Sequence, residues 1–168
     1  DEKDVYKFMA IETGLGIKSI SMNFMIDEEE PLLWKGPMIG NVLLQLFTDT
    51  DWGELDYLLI DMPPGTGDVA MTIMQQFPVD YLVVVSTPQD MVSMIVQKVI
   101  NMAEKLEIPI KGVIQNMSYL TCKKCGERQN VFSNNTAQSQ ADKMGLELLA
   151  ELPINPDFAD HLEAGQAE

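Results

Sequence analysis

Cys122 and Cys125 stand three positions apart, with Lys123 and Lys124 between them and Gly126 directly after. The chain has no other cysteine and one histidine, His161, near an acidic C-terminus where it reads as an ordinary surface residue. Two thiols at this spacing suit a metal or redox site better than a structural bridge, and they point to a reducing compartment, the cytosol. The lysines favour thiolate over thiol, the form that ligates metal, and the glycine permits a tight turn. Zn²⁺ or a [4Fe–4S] cluster typically wants four protein ligands, so one such pair supplies half a site. A second copy of the chain about a two-fold axis is the simplest completion. Two other readings compete: a thioredoxin-like redox pair and a metal-free structural pair. Against the first, the cysteines do not open a helix in a βαβ setting.

The second segment with chemistry in it is Leu58-Leu59-Ile60-Asp61-Met62-Pro63-Pro64-Gly65-Thr66-Gly67-Asp68. An apolar strand delivers Asp61 to its C-terminal end, where open α/β sheets bind ligands. Such an Asp can hold Mg²⁺, usually through water, while the metal bridges phosphate oxygens. The prolines stiffen the turn, and Gly65 lets a backbone N–H approach a terminal phosphate. An isolated Asp would more simply end a strand ahead of an ordinary Gly-Pro turn. The whole string is harder to explain that way.

The elements that must position these residues alternate between strands and helices. Residues 17–24 alternate and read as a strand. Residues 41–48 place Val42, Leu43, Leu46 and Phe47 on one helical face. Tyr57–Ile60 and Tyr81–Val85 are short apolar runs rich in branched residues, as buried parallel strands are. Thr87, Pro88 and Asp90 resemble a capped helix start. After them Val92, Ile95, Val96, Val99, Ala103 and Leu106 recur at helical spacing, with Met91, Met94 and Met102 as core filler. A strand at 110–116, a helix at 135–144 closed by Gly145, and a last strand from Leu146 to Leu152 stopped by Pro153 complete the pattern. This order predicts an α/β domain, a mostly parallel sheet flanked by helices.

Composition narrows the classes. The chain has 168 residues, 46% hydrophobic and 22% charged, which fits one globular domain with a real core. Its net charge of −15 argues against nucleic acid as a partner and against an anionic membrane surface. Part of that charge is the run Asp27-Glu28-Glu29-Glu30, read as a solvated loop. No apolar stretch reaches the ~18 residues that a membrane span needs. The first residues, Asp-Glu-Lys-Asp, do not resemble a secretory signal.

Asp61-Met-Pro-Pro-Gly-Thr-Gly-Asp68 resembles the Walker B and switch II region of the Mrp-type (ApbC-like) ATPases. These are iron–sulfur cluster scaffolds and carriers of the ParA/MinD-like P-loop NTPase superfamily. Segments 34–38, 51–57, 87–90, 115–119 and 122–128 resemble the same family in the same order, so the likeness runs from about Gly16 to Gly165. It implies that Asp61 is the Walker B carboxylate near Mg²⁺ and that Gly65 lies in switch II near the γ-phosphate. It implies that Asn116 reads the adenine edge, since an amide offers both donor and acceptor, and that Pro153 to Pro156 pass near the base. It also implies a [4Fe–4S] cluster bridging a homodimer through Cys122 and Cys125, with Zn²⁺ as the alternative occupant, and apo iron–sulfur proteins as recipients. Position 35 is Lys where the family usually has Arg.

The family also carries a Gly-rich Walker A loop, and no GxxxxGK[ST] occurs in this chain. Gly14-Leu15-Gly16-Ile17-Lys18-Ser19 has the residue types but not the spacing, and reads as a loop before a strand. The expectation is therefore a single P-loop-like domain over 1–168. It would lack the N-terminal strand, the phosphate loop with its helix, a further strand and a final C-terminal helix. Because loop N–H groups supply most of a phosphate cradle, Asp61 and Gly65 alone would bind ATP poorly. A missing central strand would also leave apolar sheet surface exposed. Two functions follow. One is an ATP-dependent iron–sulfur cluster carrier, with ATP hydrolysis a property of the intact family. The other is a non-hydrolysing metal-binding and dimerisation module that keeps only the cysteine site. A ParA/MinD-like partitioning ATPase is third, disfavoured by the cysteines and by the lack of an amphipathic membrane helix at the chain's end.

Overall fold

The computed structural model describes residues 7–25, 36–132 and 135–165. The acidic run at 27–30 and Lys35 lie outside them. The chain divides into two compact units, the first ending at Pro63 and the second starting at Pro64.

In the first unit, β1 (Phe8–Met9) pairs in parallel with β4 (Thr50–Asp51), and β2 (Ile11–Glu12) pairs antiparallel with β3 (Lys18–Ser19). A short 3₁₀ turn follows at Met22–Met25, so the strand expected over 17–24 covers only its start. Helix α1 (Gly36–Thr48) contains the expected apolar face and buries Leu46. The turn out of α1 is closed by side chains. Thr50 Oγ1 donates to the Leu46 carbonyl, and Trp52 Nε1 donates to the Phe47 carbonyl over 3.0 Å. Lys18 Nζ reaches the Trp52 carbonyl at 2.7 Å.

Residues 57–60 depart from expectation. They are not part of a ladder, and Leu59 is 91% exposed. A strand exists only through a neighbour that accepts its N–H groups, and none of the described strands pairs with this run.

The second unit is a four-stranded mixed sheet with helices. β6 (Ile110–Thr121) is its centre, parallel to β5 (Leu82–Ser86) and to β8 (Leu148–Ile154), and antiparallel to the short β7 (Arg128–Gln129). Val84 of β5 and Val113 of β6 stand opposite each other. They form a core with Val96 and Ile100 of α3 (Asp90–Lys105) and Ala141 of α4 (Ala137–Met144). Burying each of the valine and isoleucine side chains contributes about 1.5–3 kcal/mol. On the other face of β5, Val85 is 61% exposed. Helix α2 (Asp68–Gln76) buries Ala70, Ile73 and Met74.

Local signals were largely obeyed. Thr136 caps α4, its hydroxyl accepting from the Ser139 N–H, and Gly145 ends the helix with φ 68°. The start of α3 differs. Its N-cap is Gln89, not Thr87, because the Gln89 N–H closes onto the Thr87 carbonyl at 2.8 Å ahead of the helix. Ile95, expected in the core, is 47% exposed, and Ile100 takes that place. Pro153 does not stop the last strand. β8 runs through it to Ile154, since a proline without an N–H is tolerated on an edge strand. Two buried amides complete the interior: Gln115 of β6 donates to Gln140 of α4, whose own Nε2 lies 3.5 Å from the Pro88 carbonyl. Each polar atom buried there therefore has a partner, the condition on which such burial is tolerated.

Candidate functional site

The cysteine pair sits at the tip of a β-hairpin. β6 ends at Thr121, which pairs with Arg128 of β7, and Leu120 pairs with Gln129. Between them the chain turns tightly. The Cys122 N–H donates to the Glu127 carbonyl at 2.9 Å, and the Gly126 N–H donates back to the Cys122 carbonyl at 2.9 Å. Gly126 has φ 74°, a conformation that glycine alone adopts without strain. The Cys122 thiol lies below its ordinary pKa, through hydrogen bonding from the backbone of Cys125 first and of Lys124 second. Amides aimed at sulfur stabilise a thiolate as metal ligation requires. Cys122 is half-buried, Cys125 is exposed, and both are free thiols. Among the described residues no third His, Cys, Asp or Glu joins them in a metal-binding group. The pair therefore fits two corners of a four-ligand site.

The hairpin is tied to its surroundings at both ends. At its base, the Arg128 guanidinium lies 4.2 Å from the centre of the Tyr119 ring and 3.9 Å from a Glu151 carboxylate oxygen. Ser118 Oγ donates to the other Glu151 oxygen at 2.8 Å. At its tip, Lys123 Nζ donates to both Asp157 carboxylate oxygens, at 2.8 and 3.2 Å. Asp157 lies in the first turn of α5 (Pro156–Glu163), behind the N-cap Asn155, whose Oδ1 accepts from the Asp157 N–H. The bond to Asp157 raises the Lys123 pKa and lowers that of Asp157. An open cleft of about 580 Å³ runs beside the pair, walled by Leu120 and Cys122 on one side and by Pro153, Ile154 and Pro156 on the other.

The other sequence-predicted residues fall in three places. Asn116 stands where β6 bulges. The register jumps from Gln115↔Glu151 to Tyr119↔Pro153, leaving Asn116, Met117 and Ser118 against a single residue of β8. Asn116 Oδ1 accepts from the Met117 N–H at 2.9 Å, and Met117 adopts φ 52°, so part of the amide's capacity serves the bulge. Pro153 lies on the adjacent strand and lines the cysteine cleft. Gly65, with φ 90° and open space where a Cβ would be, sits in the bend that leads to α2. Asp61 is exposed and belongs to the first unit, whereas Gly65 belongs to the second. The contacts of Lys123 with Asp157 and of Arg128 with Glu151 were not predicted. The only signal for them was the basic character of the segment around the cysteines.

Comparison with known proteins places this arrangement. A family model described as ParA, NUBPL iron-transfer P-loop NTPase, matches residues 2–168. An iron–sulfur cluster carrier protein of Clostridium perfringens is 54% identical over 163 residues, covering 96% of this chain and 57% of the relative. The iron–sulfur cluster transfer protein NUBPL of Dictyostelium discoideum is 43% identical over 151 residues, covering 90% of this chain and 47% of the relative. A nucleotide-binding protein from Archaeoglobus fulgidus, solved in complex with ADP, superposes with a TM-score of 0.80 at 36% identity, covering 98% of this chain and 63% of that one. The chain thus spans about half the length of the curated relatives it matches, and its fold is the α/β P-loop NTPase fold. The chain belongs to the ParA family of iron-transfer P-loop NTPases.

Proposed function

We propose that this chain is the cluster-holding part of an iron–sulfur cluster carrier, and that Cys122 and Cys125 hold a [4Fe–4S] cluster as cargo for apoproteins. The observation that carries this reading is the turn itself, closed by the Cys122–Glu127 and Gly126–Cys122 backbone hydrogen bonds, which holds two free thiols three residues apart at the tip of the hairpin with Cys125 exposed. Two thiolates of one chain and two of a second copy complete the ligand set, which makes the carrier a homodimer around its cargo. Zn²⁺ takes the same four thiolates. The cluster is handed on when thiolates of a recipient replace those of the carrier. A reducing cytoplasm keeps the pair available for this. Transfer is the direct test: loaded protein, mixed with an apo iron–sulfur enzyme, should restore that enzyme's activity faster than free iron and sulfide do. Equal rates would remove the carrier role.

ATP chemistry belongs, in this reading, to the longer protein of which relatives are examples. Asp61 would hold Mg²⁺, and Gly65 would bring a backbone N–H to the terminal phosphate. Asn116 and Pro153 would line the base. Asp61→Ala in a version carrying a Walker A loop should lower ATP hydrolysis on the order of ten-fold or more, because it loosens a metal ion that supplies several kcal/mol. Cluster content should stay as in the wild type. An unchanged hydrolysis rate takes Asp61 out of the mechanism.

A further inference from the structure

The two backbone hydrogen bonds inside the turn, Cys122 to Glu127 and Gly126 to Cys122, give it shape but do not fix it against the rest of the unit. Below it, the ladder ends at Thr121 and Arg128. Six residues therefore project beyond the sheet, among them both thiols. Their link to α5 is the bond from Lys123 Nζ to both oxygens of Asp157. Asp157 is itself held by the Asn155 cap, and its chain neighbours Asn155 and Pro156 wall the cleft beside Cys122.

We infer that Lys123 is a positioning residue: its ion pair with Asp157 docks the cysteine turn on the first turn of α5 and so sets how long the pair keeps its cluster. The inference rests on the carrier reading above. A cluster shared by two copies needs four sulfurs at fixed positions, and a turn free to pivot about Thr121 and Arg128 lets one thiolate detach and a competitor enter. Both partners are well exposed, with side chains 75% and 61% accessible, so the pair is a modest clasp and not a source of folding stability.

A competing account has a definite and opposite consequence. A [4Fe–4S] core with four thiolates is an anion, so Lys123 could act simply by its charge. Removing the Asp157 carboxylate would then favour the anion and slow its loss. Docking predicts faster loss from either change, and no further effect from combining them.

The test uses the full chain, loaded without oxygen by iron and sulfide and then challenged with excess chelator while the visible absorption of the cluster is followed. Lys123→Ala and Asp157→Asn should each lose the cluster about three-fold faster than the wild type, the scale of an exposed ion pair. The double variant should match the singles, and Lys123→Arg should behave as the wild type. Slower or unchanged loss from Asp157→Asn, or additive effects in the double variant, would overturn the docking role. A wild-type chain that takes up no iron at the loading step would overturn the carrier reading and this inference with it.

Discussion

Replacing either cysteine with serine is expected to abolish cluster binding, with iron and sulfide falling to background in Cys122→Ser and in Cys125→Ser alike. Each chain supplies only two thiolates, and no further His, Cys, Asp or Glu among the described residues groups with them to substitute. A serine hydroxyl is a hard, protonated donor and does not replace a thiolate on iron of a cluster. Any dimer that the cluster bridges should dissociate as well, since two ligands of the four are lost per site changed in both copies. The fold should survive, because both residues lie in a surface turn and substitutions there are usually within about 0.5 kcal/mol. Iron analysis and native mass on each variant check this, and wild-type iron in either one would remove the cysteines from the site.

The largest effect on stability is expected at Gly112. A Cβ there would lie 2.5 Å from the Glu147 carbonyl oxygen and 2.8 Å from Leu149 Cγ. The first of these is backbone, and it already accepts from the Val113 N–H at 2.8 Å, so it cannot simply swing aside. Gly112→Ala should therefore push β8 away from β6 and cost about 3 kcal/mol, the upper end for overpacking. That corresponds to a fall in melting temperature of roughly 6–12 °C for a chain of this size. β8 carries Pro153 and Ile154 to the cysteine cleft, so the same variant should also hold cluster less well. A thermal melt unchanged from the wild type would mean that β8 does not approach β6 as described.

Much of this was legible in the residues, and what was not has a common cause. The cysteine turn announced itself because Cys, Lys, Gly and their spacing act over a few residues. The cap of α4 by Thr136 and its end at Gly145 are local in the same sense. The pairing of Lys123 with Asp157 is not, since 34 positions separate them and only the run of β8 beside β6 brings them together. The apolar pattern predicts that strand β6 ends near Asn116. It continues to Thr121 because a bulge at 116–118 takes up the misfit with β8, and a bulge leaves no periodic trace. Residues 57–60 show the converse: a strong strand pattern without a described neighbour to pair with. The roles of Asn116 and Pro153 came from resemblance to a family alone; those of Asp61 and Gly65 also rested on the residue string 58–68, whose strand ahead of Asp61 pairs with none of the described strands.

The most direct measurement is iron content together with native mass, on protein purified without oxygen and reconstituted with iron and sulfide. The carrier account predicts about four irons per dimer, the content of one [4Fe–4S] cluster held by two pairs of thiolates. It predicts that iron and dimer vanish together when either cysteine is changed. A monomer without iron, or a dimer that persists with both cysteines replaced, would contradict it.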